Sequence, residues 1–232
     1  MVKTMAKKTA TATATAKATA SKFSLIYAFM ALSIITLGMV TLASPVWAQA
    51  TTEDISTMPK GAYSLDTSHA SVVFKVSHMG FADYIGRFNS FEGDLDFKPD
   101  ALRESVVRIQ IDPASIDTNH KKLEKKLRAE DALNVEAYPN MTFKSREIAF
   151  TDNGKAKITG DLKMRGESHP VTLDVAFNGG GVHPFSQRHT LGFEATTTID
   201  RTKWGFDTWT PMVGKEVDII ISAEFNSLAK AE

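Results

Sequence analysis

The chain has 232 residues, with 27 Lys and Arg against 27 Asp and Glu, and no cysteine; this excludes a disulfide framework, a lipid-modified N-terminal cysteine and thiol chemistry. Five lysines and no acid fall in the first 48 residues, so the remaining 184 carry 22 basic against 27 acidic side chains, a net charge of −5. An acidic body has no counterion-release drive toward nucleic acid, and 184 residues suit a single domain.

Residues 1–22 are basic and include a Thr-Ala repeat, residues 23–43 carry no charge, and Ser44-Pro45-Val46-Trp47-Ala48 reads as a cleavage site. That order is the secretory pattern, with the cut expected after Ala48. A helix retained in the membrane through residues 23–43 is the competing reading, because 21 uncharged residues can span a bilayer. Residues 49–60 read as a flexible tail, residues 61–226 as the folded domain and residues 227–232 as a C-terminal tail.

From there the chain alternates. Strands are predicted at Ala62–Asp66, Ala70–Ser77, Gly86–Phe97, Ser105–Asp112, Met141–Phe150, Lys155–Met164, Pro170–Phe177, Thr190–Asp200 and Val217–Asn226. Turn chemistry separates most of them, including Lys98-Pro99-Asp100, Asp152-Asn153-Gly154, Gly166-Glu167 and Asn178-Gly179-Gly180-Gly181. Short connections make consecutive strands antiparallel. The fold expected is therefore all-β: an antiparallel up-and-down barrel of 8–9 strands, with a two-sheet sandwich as the alternative. Val72, Phe74 and Val76 share one face, as do Ile158, Leu162 and Met164, and Val217, Ile219, Ile221 and Phe225. A barrel of this size is either filled by its own side chains or holds one slender ligand.

One segment breaks the strand pattern. Residues 117–143 are charged and helix-patterned, a rim insert able to cover or line an opening. Leu123 and Leu127 mark its apolar stripe, Thr118 or Asn119 is the expected cap, and a break is expected near Glu130–Asp131. Lys121, Lys122, Lys125 and Lys126 oppose the helix dipole unless an anionic group compensates.

The six histidines lack local metal-site spacing, so no metal is expected. His78 before the Met79-Gly80-Phe81 rim loop, with Asn119, His120 and Arg128 in the insert, are the candidates for a polar mouth. Nucleophile motifs, phosphate loops and carboxylate pairs with a spacing that demands catalysis are absent, Asp94 and Asp96 lying on the wet side of one strand, and no catalytic residue is assigned. The aromatic loop Arg201–Met212, with Trp204, Phe206 and Trp209, either plugs one barrel end or lines an entrance for an apolar ligand.

Dispersed motifs resemble the YceI-like family. They are Tyr63-Ser64-Leu65-Asp66 with His69; Val72, Phe74 and His78; Ile116-Asp117-Thr118-Asn119; Leu127-Arg128, Asp131, Leu133, Tyr138-Pro139 and Thr142-Phe143. They continue with Ile158-Thr159-Gly160-Asp161-Leu162, Pro170-Val171-Thr172-Leu173, Gly192-Phe193-Glu194-Ala195, Gly214 and Glu216-Val217. The resemblance implies a periplasmic, lipocalin-like barrel that holds a polyisoprenoid, isoprenoid quinone or fatty-acid-like amphiphile, with no cofactor other than that bound molecule. The apolar contacts expected for it are Phe74, Val76, Phe91, Phe143, Phe193 and Trp204. Transient membrane contact for ligand exchange and a homodimer are compatible partners. Alternatives are an enzyme or accessory factor acting on an isoprenoid or quinone, through His78 or His120, and a ligand-free stress-protective protein. Many relatives carry Asp-Pro-Trp-Gly where this chain has His183-Pro184-Phe185-Ser186, so head-group contacts from that loop do not transfer.

Overall fold

The computed structural model describes residues 51–151 and 155–231. The leader, its cleavage site and the Asp152-Asn153-Gly154 turn lie outside the described residues. Among the described residues, eleven strands and one α-helix follow in order: β1 (Gly61–Leu65), β2 (Ser71–His78), β3 (Ala82–Phe88), β4 (Phe91–Phe97), β5 (Val106–Ile111), β6 (Ile116–Asp117), α1 (Lys121–Arg128), β7 (Met141–Phe150), β8 (Lys155–Met164), β9 (Glu167–Val182), β10 (Arg188–Asp200) and β11 (Val213–Lys230).

The strands form a closed antiparallel barrel of eight staves. β1 pairs with β4, and the ring runs through β5, β7, β8, β9, β10 and β11 back to β1. Three staves are interrupted. β2 continues β1, and β3 leads into β4: Val72 lies opposite Phe88, and Ser64 opposite Asp94. β11 serves both halves of the first stave, pairing Leu65 with its Phe225 and Val76 with its Val217. β6 continues β5 and pairs with β3 through Arg87–Asp117. Closure of the eight-stave ring pairs most strand edges among the described residues, the device by which an antiparallel sheet avoids edge-to-edge association.

The corner between β1 and β2 is pinned by Asp66. Its carboxylate accepts from Ser68 N–H (3.0 Å) and Ser68 Oγ (2.5 Å), from His69 Nδ1 (3.1 Å) and from Asn226 Nδ2 (2.9 Å) on β11. Burial opposes its ionisation, but these donors outweigh burial and hold it well below the usual carboxylate range. Asp66, His69 and Glu224 lie close enough together to suggest a cation site. The donors already filling Asp66 give the cluster a structural use.

Several expectations are corrected. Met79-Gly80-Phe81 is a tight hairpin turn with Met79 and Gly80 both at positive φ, and β3 starts directly after it, four residues before the predicted strand. Asn178–Gly181 is no turn: it lies within β9, opposite β10, with a register shift at Gly192/Phe193. Residues 51–60 are docked along the wall. Thr52 bridges Gly180, Met58 is buried, and Pro59 O accepts from Tyr63 Oη at 2.7 Å. The C-terminal tail is mostly strand, since β11 runs to Lys230.

The interior divides by height. At the lower end Met58, Tyr63, Leu65, Leu95, Phe97, Leu191, Ala223 and Phe225 fill the barrel, with Tyr63 and Phe97 edge-to-face at 5.8 Å. This is a solid floor. A second cluster under the upper rim joins Ile116, Leu133, Met141, Phe143 and Ile199 to Trp204 and Phe206 of the 201–212 loop.

Candidate functional site

Between floor and upper rim the barrel is hollow. The cavity has a volume of about 210 Å³, inside about 1400 Å³ of atom-free space that includes its open mouth. Its wall is almost wholly apolar, since each stave turns its aliphatic and aromatic alternation inward: Val72, Phe74 and Val76 from β2, Ile109 and Ile111 from β5, Leu162 and Met164 from β8, Val217, Ile219 and Ile221 from β11. These are the faces that strict alternation predicts.

Two wall aromatics owe their positions to glycine. A Cβ on Gly86 would lie 2.3 Å from Phe74 Cζ, and one on Gly160 would lie 2.5 Å from Phe143 Cζ. Each ring reclines over a glycine on the neighbouring strand. The lumen stays open because those two positions have no side chain.

Four of the six expected apolar contacts, Phe74, Val76, Phe91 and Phe143, line the cavity. Phe193 does not. It packs with the floor, 5.5 Å from Phe177 and 6.1 Å from Phe225, because alternation fixes which face a residue takes but not its height in the barrel. Trp204 is also removed from the wall: it is 2% exposed, donates its indole N–H to Leu162 O (3.1 Å) and meets His169 edge-on at 5.0 Å. It is the plug that one of the two readings of the aromatic loop describes, while Phe206 and Trp209 of the same loop line the cavity. Both readings hold within one loop.

The lid has two halves, the α1 insert and residues 201–212. Leu127 and Leu133 of the insert face the cavity, and the expected break falls between them, with Leu133 N–H returning to Leu127 O (2.9 Å). Arg165, which no sequence pattern marks, ties the halves together. From the β8–β9 turn it donates to Glu130 O (3.0 Å) and Ala132 O in the insert, and to Trp204 O (3.2 Å) in the loop. Thr208 Oγ1 also donates to Asp131 O.

No sequence pattern marks Arg201 either. It is 3% exposed, lines the cavity, and lies over the Phe206 ring at 4.7 Å. Its donors reach Gly214 O, Phe206 O, Thr210 Oγ1 and Val213 O at 2.7–3.2 Å, and burial lowers its pKa. It holds the loop together and gives the upper wall a single positive charge.

The four candidates for a polar mouth all stand on the upper rim, but outside the cavity wall. His78 is exposed where β2 meets the tight turn, and Asn119 is exposed at positive φ. The helix cap is neither Thr118 nor Asn119: His120 Nδ1 accepts from Leu123 N–H at 3.1 Å. Arg128 is a strut, donating to Ala114 O (2.8 Å), Ile116 O (3.3 Å) and Glu124 Oε2 (3.4 Å). Glu124 is the anion that compensates the lysines. It is fully buried against Lys121 (3.0 Å), Arg128 and Thr118 N–H, and Lys121 holds its carboxyl below the usual range despite burial. Lys122, Lys125 and Lys126 are left pointing outward.

Comparison with known proteins agrees with this architecture. The chain is 37% identical over 172 residues to a UPF0312 protein of Vibrio parahaemolyticus, covering 74% of this chain and 86% of that one. BcnA of Burkholderia cenocepacia superposes with a TM-score of 0.63 at 25% identity, over 69% of this chain and 98% of that one. A polyisoprenoid binding domain from Saccharophagus degradans, implicated in plant cell wall breakdown, shares the fold with a TM-score of 0.54 at 14% identity, over 71% and 98% of the two chains. The YceI-like domain model matches residues 63–225, and the chain belongs to the YceI-like family.

Proposed function

We propose that the protein is an exported carrier that sequesters one long apolar molecule in the barrel lumen, with a polyisoprenoid, an isoprenoid quinone or a fatty-acid-like amphiphile as the ligand class. The observation that carries this reading is a hollow, apolar-walled lumen above a solid floor. Apart from Arg201, whose donors are already taken up by the 201–214 backbone and Thr210, the wall offers no charge partner for a polar substrate, whereas burying a hydrocarbon chain gains about 25 cal/mol per Å² of apolar surface without any reaction. The polyisoprenoid-binding domain with the same fold supports the choice of ligand class. The leader-like N-terminus supports export to the periplasm, where the carrier would exchange its ligand with a membrane. His78 and His120, the acid–base candidates of the enzyme alternative, stand outside the wall.

The test is native mass spectrometry of the purified protein followed by organic extraction. A mass excess that disappears on extraction and is recovered as one apolar compound per barrel is the expected result. A barrel that purifies empty and takes up no long-chain fluorescent probe would overturn it.

A further inference from the structure

Resting on the carrier reading, we propose that the upper rim is a docking surface for an anionic lipid bilayer. Its apolar tip is Met79, Phe81 and Met212, and its cationic arm is the outer face of α1.

Two independent features meet on this rim. The first is apolar. Phe81 is 85%, Met212 58% and Met79 52% exposed, and of the exposed large hydrophobic side chains these three sit together on two joined loops. The tight β2–β3 turn and the 201–212 loop are joined there, Met79 N–H donating to Met212 O at 2.7 Å. The tip is continuous with the lumen. Val213 follows Met212, lies opposite His78 and bonds to Trp209 O at 2.9 Å. Val213, Trp209 and Val76 are all cavity wall. An apolar track thus leads from the exposed tip to the ligand space.

The second feature is charge. Lys121, Lys122, Lys125 and Lys126 are exposed on α1, while the helix's one acid, Glu124, is fully buried and neutralised. The helix is tied to the strand that descends from the apolar tip: β6, which leads into it, pairs with Arg87 and Phe88 of β3, and Tyr84 Oη, three residues after Phe81, donates to Thr118 O at 3.3 Å. The folded body carries a net −5, so this cationic arm would also orient the molecule, lid first, toward a negative surface. Exposed large apolar side chains beside lysines, at the mouth of an apolar cavity, are what interfacial attachment to anionic lipid needs.

The test is vesicle co-sedimentation of the chain from Gln49, which contains the whole closed barrel. Vesicles of phosphatidylcholine with one third phosphatidylglycerol are compared with pure phosphatidylcholine. Binding should be at least about tenfold stronger to the anionic vesicles and should weaken between about 0.1 and 0.5 M salt. Met79→Asn with Phe81→Ser, and separately Lys122→Glu with Lys125→Glu, should each lower binding about tenfold or more. Thermal unfolding should be unchanged, because all four side chains are exposed. Phe185→Ser, at an equally exposed phenylalanine on the opposite end of the barrel, should change nothing. Equal binding to both vesicle types, wild-type binding by both double variants, or an equal loss with Phe185→Ser would each overturn the proposal. Extraction of bound lipid from the same preparations separates the two readings. A loaded barrel that ignores vesicles sinks the docking surface alone, and an empty barrel that binds them sinks only the carrier.

Discussion

Phe74 and Gly86 show how one position sets the space available to a ligand. Their strands bring them directly opposite one another, and a β-carbon on Gly86 would meet the Phe74 ring at 2.3 Å and Asp117 O at 3.0 Å. Gly86→Ala should therefore drive the ring into the lumen. We expect a loss of about 1–3 kcal/mol by chemical denaturation, as for an overpacked core, together with less co-purifying ligand. Phe74→Leu in the same chain should restore both, and a failure of rescue would show that Asp117 O, not the ring, takes the strain. Tyr63 makes a matching argument at the floor. Burial pushes its phenol up to about 12, against about 10 in the unfolded chain. Between those values the unfolded form releases the proton first, so stability must fall as pH rises from about 10 toward 12. The urea midpoint of Tyr63→Phe should fall less than that of the wild type between pH 9 and pH 11; equal falls would show that the phenol is not protected.

Among the elements, the lid is where a single side chain has the widest reach. Arg165 holds the α1 insert and the 201–212 loop through three backbone carbonyls, and a charged donor left unreplaced costs more than a neutral one. Arg165→Ala should lower stability by about 2 kcal/mol and speed the release of a fluorescent fatty-acid probe. Unchanged release with reduced stability would mean that the lid does not gate the lumen. Arg165 was not legible in the sequence, because its partners are carbonyls far along the chain and no spacing marks them. The strand faces were largely legible: on β2, β8 and β11 the residues read as inward line the cavity, except Ile158, which packs against the upper cluster, and Phe225, which belongs to the floor, while Val73 interrupts the alternation of β2. β3 was half missed because Met79-Gly80-Phe81 reads as an open rim loop, whereas Met79 and Gly80 both take positive φ and turn the chain straight into a strand at Ala82. The Gly179–Gly181 run misled in the opposite direction. Glycine is needed there for close approach, since a Cβ on Gly180 would come within 2.8 Å of Met58 Sδ. The same packing draws residues 51–60 onto the wall. Phe193 faces the interior as expected, but at the height of the floor, and Trp204 packs in the loop above the wall and not on it.

At the scale of the whole molecule, the barrel is built unequally. Its lower end is packed with its own side chains around Tyr63, Phe97, Leu191 and Phe225, while its upper half encloses space that only the lid and a guest can cover. Closure around eight staves keeps the ring intact in either state, because the hydrogen-bond ladder does not depend on what fills the lumen. The packing of the lid does depend on it: Leu127, Leu133, Phe206 and Trp209 all face the cavity and lose contacts when it is empty. A ligand that binds only the folded form stabilises it by mass action, and here the gain should be localised. If the protein carries a ligand as proposed, removing that molecule by organic extraction, then refolding, should lower the melting temperature by several degrees. Amide hydrogen exchange should quicken in α1 and residues 201–212, while the amides of β1, β4 and the lower part of β10 keep their protection. Re-addition of the extracted compound should reverse both changes. Uniform loss of protection across floor and lid would mean that the guest supports the entire barrel, and that the floor is not an independent foundation.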